Sequence, residues 1–150
     1  MLEKYLDLLR ALHEAKIKYL VIGGFAAIMH GIPRFTKDLD LAIVPELAAC
    51  EAILDIMKSL RFGTAYLTTP EDLVKTKVTI FEDYLRIDIL TEVKGMDFEA
   101  MWEKREVAEV KGVPINLVTL DDLIVLKRAA GRSIDLEDVA LLEKIRLGEI

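Results

Sequence analysis

The chain has 150 residues, of which 53% are hydrophobic and 31% are charged, and its formal net charge is −6. This composition supplies a sizeable hydrophobic core and excludes wholesale disorder, and the length predicts a single domain over residues 1–150. The acidic balance argues against non-specific binding to nucleic acid, because affinity for phosphate backbones comes mostly from basic surface.

No segment of the sequence has the pattern of a membrane span or a signal peptide. The longest strongly apolar stretch, residues 20–29, is too short to cross a bilayer, and residues 1–10 mix charged with apolar positions. Cys50 is the single cysteine, so neither an internal disulfide nor a thiolate zinc site is expected. We therefore expect a cytoplasmic protein without membrane contact. The lack of Gln, a single Asn, and abundant Lys and Glu indicate a thermophilic source.

The first 60 residues alternate between helical and extended patterns. Leucines at helical spacing come first, and a short apolar run follows that ends at the glycine pair Gly23-Gly24. In chain order the predicted elements are a helix over 1–15, a strand over 18–22, a helix over 25–30, a strand over 38–44 and a helix over 46–60.

The rest of the chain predicts two hairpins and two helices. Thr119 is a suitable N-cap for the first of these helices, and Gly131 ends it. The predicted elements are strands over 76–81 and 85–90, strands over 106–110 and 113–118, and helices over about 120–130 and 134–147. This order predicts an α/β (α+β) fold, in which helices flank a mixed sheet and a helical tail covers about 120–147.

The glycine pair Gly23-Gly24 lies between a predicted buried strand and a helix. Glycine permits positive φ and close backbone approach, and the free N–H groups at the start of a helix favour an anion such as phosphate. An ordinary strand-to-helix turn also needs glycine, so the pair by itself fits both interpretations.

Two aspartates stand on one face of the second predicted strand. Asp38 and Asp40 alternate with Leu39 and Leu41, so both carboxylates point to the same side. Their mutual repulsion calls for a compensating charge, and Mg²⁺ with oxygen ligands would supply it, especially beside phosphates. A solvated strand face is the alternative interpretation.

A third acidic residue, Asp88, interrupts an otherwise apolar strand. Such an acid needs a partner, which could be Arg86, a metal ion or a capping N–H group. If this strand pairs beside the strand that carries Asp38 and Asp40, three carboxylates converge. A cluster of that kind can hold two metal ions for chemistry at phosphorus.

These motifs together resemble the nucleotidyltransferase superfamily typified by DNA polymerase β. Its signature is a glycine pair or Gly-Ser after the first strand, then Asp-x-Asp/Glu, then a carboxylate on a later strand. The run Gly31-x-x-Arg34-x-Thr36-x-Asp38-x-Asp40 resembles the small minimal nucleotidyltransferases and the AbiEii-type toxins of toxin–antitoxin systems. The chain departs from many members at Gly24, where they carry serine.

The resemblance implies a nucleotidyltransferase-like fold and a set of roles. Gly23 and Gly24 would cradle a triphosphate through their backbone N–H groups. Asp38, Asp40 and Asp88 would be the catalytic and metal-binding residues for Mg²⁺, with two ions expected. Asp88 would also orient the incoming hydroxyl or accept its proton. The implied reaction moves a nucleoside monophosphate from an NTP to an acceptor and releases pyrophosphate.

The same resemblance leaves the acceptor and any partner open. In this superfamily the acceptor is RNA or another nucleic acid, a protein hydroxyl or a small molecule. A second interpretation is a non-catalytic, nucleotide-binding or interaction component of a toxin–antitoxin-like module. Because 150 residues leave little room for a dedicated acceptor domain, a small helical partner protein or a homodimer could supply the surface that binds the acceptor.

Several basic and polar residues near these motifs have two interpretations. Arg34, Thr36 and Lys37 are candidates for nucleotide binding, but the two cations could equally pair with nearby aspartates and Thr36 could simply begin the strand. Lys127 and its basic neighbours on the helical tail could face a nucleotide, although a solvated helix face is the simpler interpretation. His30 is expected to end a helix rather than act as a base.

Overall fold

The computed structural model describes all residues, 1–150, and its centre is one six-stranded mixed sheet. The strands are β1 (Tyr19–Ile22), β2 (Asp38–Ile43), β3 (Val78–Glu82), β4 (Arg86–Leu90), β5 (Glu106–Val110) and β6 (Val113–Leu117). Their order across the sheet is β3-β4-β2-β1-β6-β5. β1 runs antiparallel to β2 and parallel to β6, and β2 runs parallel to β4. The predicted mixed-sheet fold class is confirmed.

Seven α-helices and one 3₁₀ turn flank the sheet. The helices are α1 (Leu2–Glu14), α2 (Gly23–Met29), α3 (Leu47–Ser59), α4 (Pro70–Lys75), α5 (Phe98–Lys104), α6 (Leu120–Ala130) and α7 (Ser133–Arg146), and the turn is Gly63–Leu67. None of the helices combines the length and the apolar character that a membrane span requires.

Two short helices were missing from the sequence prediction, because neither is long enough to show a hydrophobic period. Helix α4 has Pro70 in its first turn, and the Thr69 side chain accepts a hydrogen bond from the Asp72 amide. Helix α5 begins in the same way, with the Asp97 side chain accepting from the Ala100 amide at 3.1 Å. The capping residues were therefore the available signal for both helices.

The core depends on the strict alternation of β2 and β4. Leu39, Leu41, Ile87 and Ile89 are all at most 1% exposed and belong to one cluster of 38 buried residues. The alternate positions on these strands point to the opposite face of the sheet. This opposite face carries the aspartates, which are only half-buried.

The parallel pairing of β2 with β4 sets the register of the polar face. Asp40 lies opposite Asp88, and Asp38 lies opposite Arg86. Since residues in register on neighbouring strands point to the same side, the three acidic side chains share one face. The condition that the sequence left open, adjacency of these two strands, is met.

Candidate active site

A cavity of about 330 Å³ opens on the aspartate face of the sheet. Asp38, Asp40 and Asp88 all line it. Six further charged side chains complete its charged lining: Arg34, Arg86, Lys127, Arg132, Asp135 and Asp138. Carboxylates therefore outnumber cations by one, so the lining of the cavity has a formal net charge of −1 when all these groups are ionised.

Asp40 is the carboxyl group most affected by this environment. Its burial, followed by the negative charges of Asp88 and Asp38, raises the pKa of Asp40 from 3.8 to about 7. The nearby cations Lys127 and Arg86 oppose the shift without cancelling it. A further cation beside Asp40 would therefore be stabilised.

Arg86 is the direct partner of Asp88. Its Nε lies 3.1 Å from Asp88 Oδ1 and its Nη2 lies 3.3 Å from Asp88 Oδ2, so the contact is bidentate. The same Nε lies 3.6 Å from Asp38 Oδ2. The hydrogen bonds to Asp88 and the negative charge of Asp88 raise the pKa of Arg86. The charged guanidinium therefore lies between the carboxylates of Asp88 and Asp38.

The glycine pair lies directly against the acidic residues. Gly23 has φ +68°, and a Cβ at this position would lie 2.2 Å from Asp40 Oδ2. A Cβ at Gly24 would lie 3.1 Å from Thr36 Oγ1, and this hydroxyl accepts a hydrogen bond from the Asp38 amide at 3.0 Å. Position 23 thus requires glycine for two reasons. Its φ is positive, and a Cβ there would collide with the Asp40 carboxylate.

These residues fit a hard divalent cation, although no three His, Cys, Asp or Glu side chains have the arrangement of a metal centre in this structure. The donors near Asp40 are carboxylate oxygens, the type of ligand that Mg²⁺ prefers. Burial, and then the negative charges of Asp88 and Asp38, raise the pKa of Asp40, so a cation beside this carboxylate would be favoured. The absence of a side chain at Gly23 lets the Asp40 carboxylate lie directly against the backbone.

A second charged cluster forms the wall of the cavity opposite the aspartate strands. Lys127 on α6 is only 7% exposed, and its Nζ lies 2.9 Å from Asp138 Oδ2 and 3.7 Å from Asp135 Oδ1 on α7. Arg34 Nη2 lies 2.6 Å from the other oxygen of Asp138. The interpretation of Lys127 as part of a solvated helix face is wrong, because the packing of α7 buries it.

Sequence reasoning missed Asp135 and Asp138 as parts of the site, and for Lys127 it preferred a solvated helix face over a position facing a nucleotide. Asp135 and Asp138 are three residues apart and so lie on one face of α7, and Lys127 follows a run of apolar residues on α6. These spacings were visible in the sequence. Their meaning depends on the way α6 and α7 pack together, which the spacing does not show.

Two other candidates lie outside the aspartate cavity. Lys37 lines a neighbouring recess, and its carbonyl accepts a hydrogen bond from the Tyr5 hydroxyl. His30 is the residue that ends α2, as expected, and its Nε2 donates to the Val118 carbonyl at 2.7 Å. The structure therefore does not place the side chain of Lys37 or of His30 in the cavity lined by Asp38, Asp40 and Asp88.

The raised pKa of Asp40 predicts a pH-dependent cost in stability. Between about pH 4 and pH 7 the folded chain holds a proton that the unfolded chain has released, so the free energy of unfolding should fall as pH rises through this window. In EDTA, Asp40→Asn should therefore be about 1–2 kcal/mol more stable than wild type at pH 8, after allowance for solvent screening. The two proteins should become equal near pH 4.

Urea unfolding at several pH values measures this difference. Asp55→Asn on α3 is the matched control, because Asp55 is exposed and remote from the cavity. If Asp40→Asn is less stable than wild type at pH 8, burial and repulsion by Asp88 and Asp38 do not destabilise the Asp40 carboxylate as assigned.

The fold is similar to solved structures of nucleotidyltransferases. A candidate nucleotidyltransferase from Thermotoga maritima gives a TM-score of 0.58 at 16% identity, covering 99% of this chain and 93% of that chain. The solution structure of the antibiotic-resistance factor ANT(2'')-Ia gives 0.55 at 16% identity, covering 99% of this chain and 89% of that one. The crystal structure of ANT(2'')-Ia in complex with adenylyl-2''-tobramycin gives 0.55 at 14% identity, covering 98% and 94%. At these identities the likeness shows a common fold.

The sequence itself carries the family assignment. No curated protein matches the chain. Residues 1–147 match the family described as "Nucleotidyl transferase of unknown function (DUF2204)". This match covers nearly the whole chain and confirms the resemblance that the glycine pair and the three aspartates indicated. The chain belongs to this family of the nucleotidyltransferase superfamily, and it is a transferase of the EC 2.7.7 type.

Proposed function

We propose that the chain transfers a nucleoside monophosphate from an NTP to a hydroxyl group of an acceptor, with Mg²⁺ as cofactor. The observation that carries this proposal is the register of β2 and β4, which sets Asp88 opposite Asp40 in one cavity. Family membership supplies the class of reaction. The three carboxylates and the net negative charge of the cavity support the metal dependence.

Each residue of the site has a role in this proposal. Asp38 and Asp40 would hold Mg²⁺, with Asp88 as a third ligand, and two ions are expected. When bound, Mg²⁺ supplies positive charge to the triphosphate and to the developing negative charge at phosphorus. Asp88 orients the acceptor hydroxyl and accepts its proton. The acceptor oxygen forms a bond to the α-phosphorus, the bond from that phosphorus to the bridging oxygen breaks, and pyrophosphate leaves with the bonding electrons.

The glycine pair and the cations of the cavity would hold the phosphates. Gly24 lines the cavity, and the backbone of Gly23 lies directly against the Asp40 carboxylate. Arg34 and Lys127 line the opposite wall, where both also pair with Asp138. The N–H groups of the glycines, and those N–H groups of Arg34 that do not contact Asp138, would provide donors on two sides of a triphosphate.

The acceptor is proposed to be a small molecule or a protein hydroxyl rather than RNA. The net charge of −6 opposes the approach of a polyanion, whereas a neutral or cationic acceptor is not repelled. The structure of ANT(2'')-Ia with adenylyl-2''-tobramycin shows a nucleotidylated aminoglycoside in a protein of this fold. A cationic acceptor of that kind is a suitable first candidate to test.

The proposal is tested by incubating the protein with each α-labelled NTP, Mg²⁺ and a panel of RNA, protein and aminoglycoside acceptors. We expect label in the acceptor and release of pyrophosphate, both abolished by EDTA. If the chain is instead the non-catalytic interaction component of a two-protein module, NTP should bind but no pyrophosphate should be released, with or without an added helical partner. That result would contradict catalysis by this chain.

A thermal-shift measurement tests the metal assignment separately. Mg²⁺ with NTP should raise the melting temperature of wild type, and Asp38→Asn or Asp40→Asn should abolish this shift, because each removes a charged ligand. An unchanged shift in both variants would contradict the assignment of the two aspartates as metal ligands.

A further inference from the structure

Phe35 is a large aromatic residue at the boundary between two cavities. It lies in the loop between α2 and β2 and is 74% exposed. Apart from Phe35, the only hydrophobic residue that lines the aspartate cavity is Ile134. The same phenylalanine lines a second cavity, so one ring faces both.

The second cavity is an apolar recess of about 240 Å³ between the start of α1 and helix α2. Leu2, Tyr5, Phe25 and Ile28 line it, together with Phe35. The rings of Tyr5 and Phe25 pack edge to face with centroids 5.0 Å apart. The recess therefore offers aromatic and aliphatic walls directly beside a strongly charged site.

The two cavities adjoin at the loop that carries Arg34, Phe35 and Thr36, because all three residues line both. The Thr36 hydroxyl accepts a hydrogen bond from the Asp38 amide, and it lies where a Cβ at Gly24 would meet it at 3.1 Å. A ligand at the glycine pair would therefore have its next part against Phe35. A ligand that fits both cavities would need a highly charged end and a flat apolar end. A nucleoside triphosphate has these in its phosphates and its base.

The polar side chains at the wall of the recess each have a partner inside the protein. Arg34 pairs with Asp138, the Tyr5 hydroxyl donates to the Lys37 carbonyl, and the Thr36 hydroxyl accepts from the Asp38 amide. No Asn, Gln, Asp or Glu side chain lines the recess. A ring bound there would be recognised mostly by its contact area, with few hydrogen bonds to its edge.

We propose that Phe35 is the stacking platform for the nucleobase of the NTP, and that the recess between α1 and α2 receives the base. This inference rests on the proposed function. It specifies that the site accepts all four bases and binds purines more tightly than pyrimidines, since a larger ring buries more area on the same surface.

The test compares binding of the four NTPs and of tripolyphosphate, each with Mg²⁺, by isothermal titration calorimetry. Phe35→Ala should weaken every NTP by about 10- to 100-fold and leave tripolyphosphate unchanged, because one base–aromatic stack is lost. Phe35→Trp should retain the affinity of wild type. Because Phe35 is exposed, neither variant should change the melting temperature. Tyr66→Ala is the matched control, since Tyr66 is also a largely exposed aromatic residue but lines neither cavity.

The outcomes separate this inference from the proposed function. If Phe35→Ala weakens NTP and tripolyphosphate equally, or weakens neither, the base does not stack on Phe35. If NTP affinity is unchanged while the KM for the acceptor rises, the recess belongs to the acceptor and the inference is overturned. If Phe35→Ala loses NTP affinity as expected but wild type releases no pyrophosphate with any acceptor, the base site stands and the proposed transfer fails.

Discussion

Asp88→Asn is expected to lower the rate of nucleotidyl transfer by about 10²–10⁴-fold, the usual loss when a positioned proton acceptor is removed. The variant keeps the shape of the side chain but cannot take the proton of the acceptor hydroxyl. It also removes the charge that Arg86 pairs with at 3.1 Å. The rate constant is measured as pyrophosphate release at saturating NTP, so that a change in NTP affinity does not enter the comparison.

The chain offers a matched control for this loss. Glu82→Gln removes another carboxylate that approaches Arg86, at 3.9 Å, but Glu82 does not line the aspartate cavity. We expect its rate to stay within about twofold of wild type, because an exposed ion pair contributes little. A loss as large in Glu82→Gln as in Asp88→Asn would show that Arg86 positioning, and not proton transfer, limits the reaction.

Asp138→Ala is expected to cost about 3–5 kcal/mol of stability, the largest effect on folding among the charged residues of the cavity. Asp138 is 0% exposed and accepts contacts from Lys127 at 2.9 Å and Arg34 at 2.6 Å. The substitution leaves Lys127 buried with only the more distant Asp135, at 3.7 Å. Urea denaturation of the variant and wild type at pH 7 measures the difference.

Two further variants identify the cause of that cost. Asp121→Ala on α6 should change stability by less than about 1 kcal/mol, because Asp121 pairs with Arg146 at 3.5 Å on the surface. The double variant Lys127→Met/Asp138→Leu should recover most of the stability, since both buried charges are then absent. A double variant as unstable as Asp138→Ala would assign the cost to lost packing instead of an unpaired lysine.

The polar face of the sheet was predictable from residues close together in the chain. The alternation of Asp38 and Asp40 with leucines fixes their common face, and Asp88 stands out because its neighbours Ile87 and Ile89 are apolar. That β2 and β4 would pair was only a condition in the sequence analysis. They are neighbours in the sheet although two helices, a turn and another strand lie between them in the chain.

The opposite wall of the cavity was less predictable, because its residues also come together only through contacts between distant parts of the chain. Lys127 has the sequence environment of an amphipathic helix, where a lysine normally lies in solvent. Only the packing of α7 against α6 brings Asp135 and Asp138 to it and removes it from water. Local periodicity reports the face of a helix, and it does not report which side chains of a distant helix will meet that face.

The ion pairs of Asp138 also bear on how this protein is best divided for expression or engineering. Arg34 precedes β2, Lys127 belongs to α6 and Asp138 belongs to α7, so three parts of the chain meet at one carboxylate. A chain truncated at Gly131 would lose Asp138 and leave the ammonium group of Lys127 without its nearest partner beside the aspartate cavity. The carboxy-terminal helix is therefore an integral wall of the enzyme and not a detachable appendage.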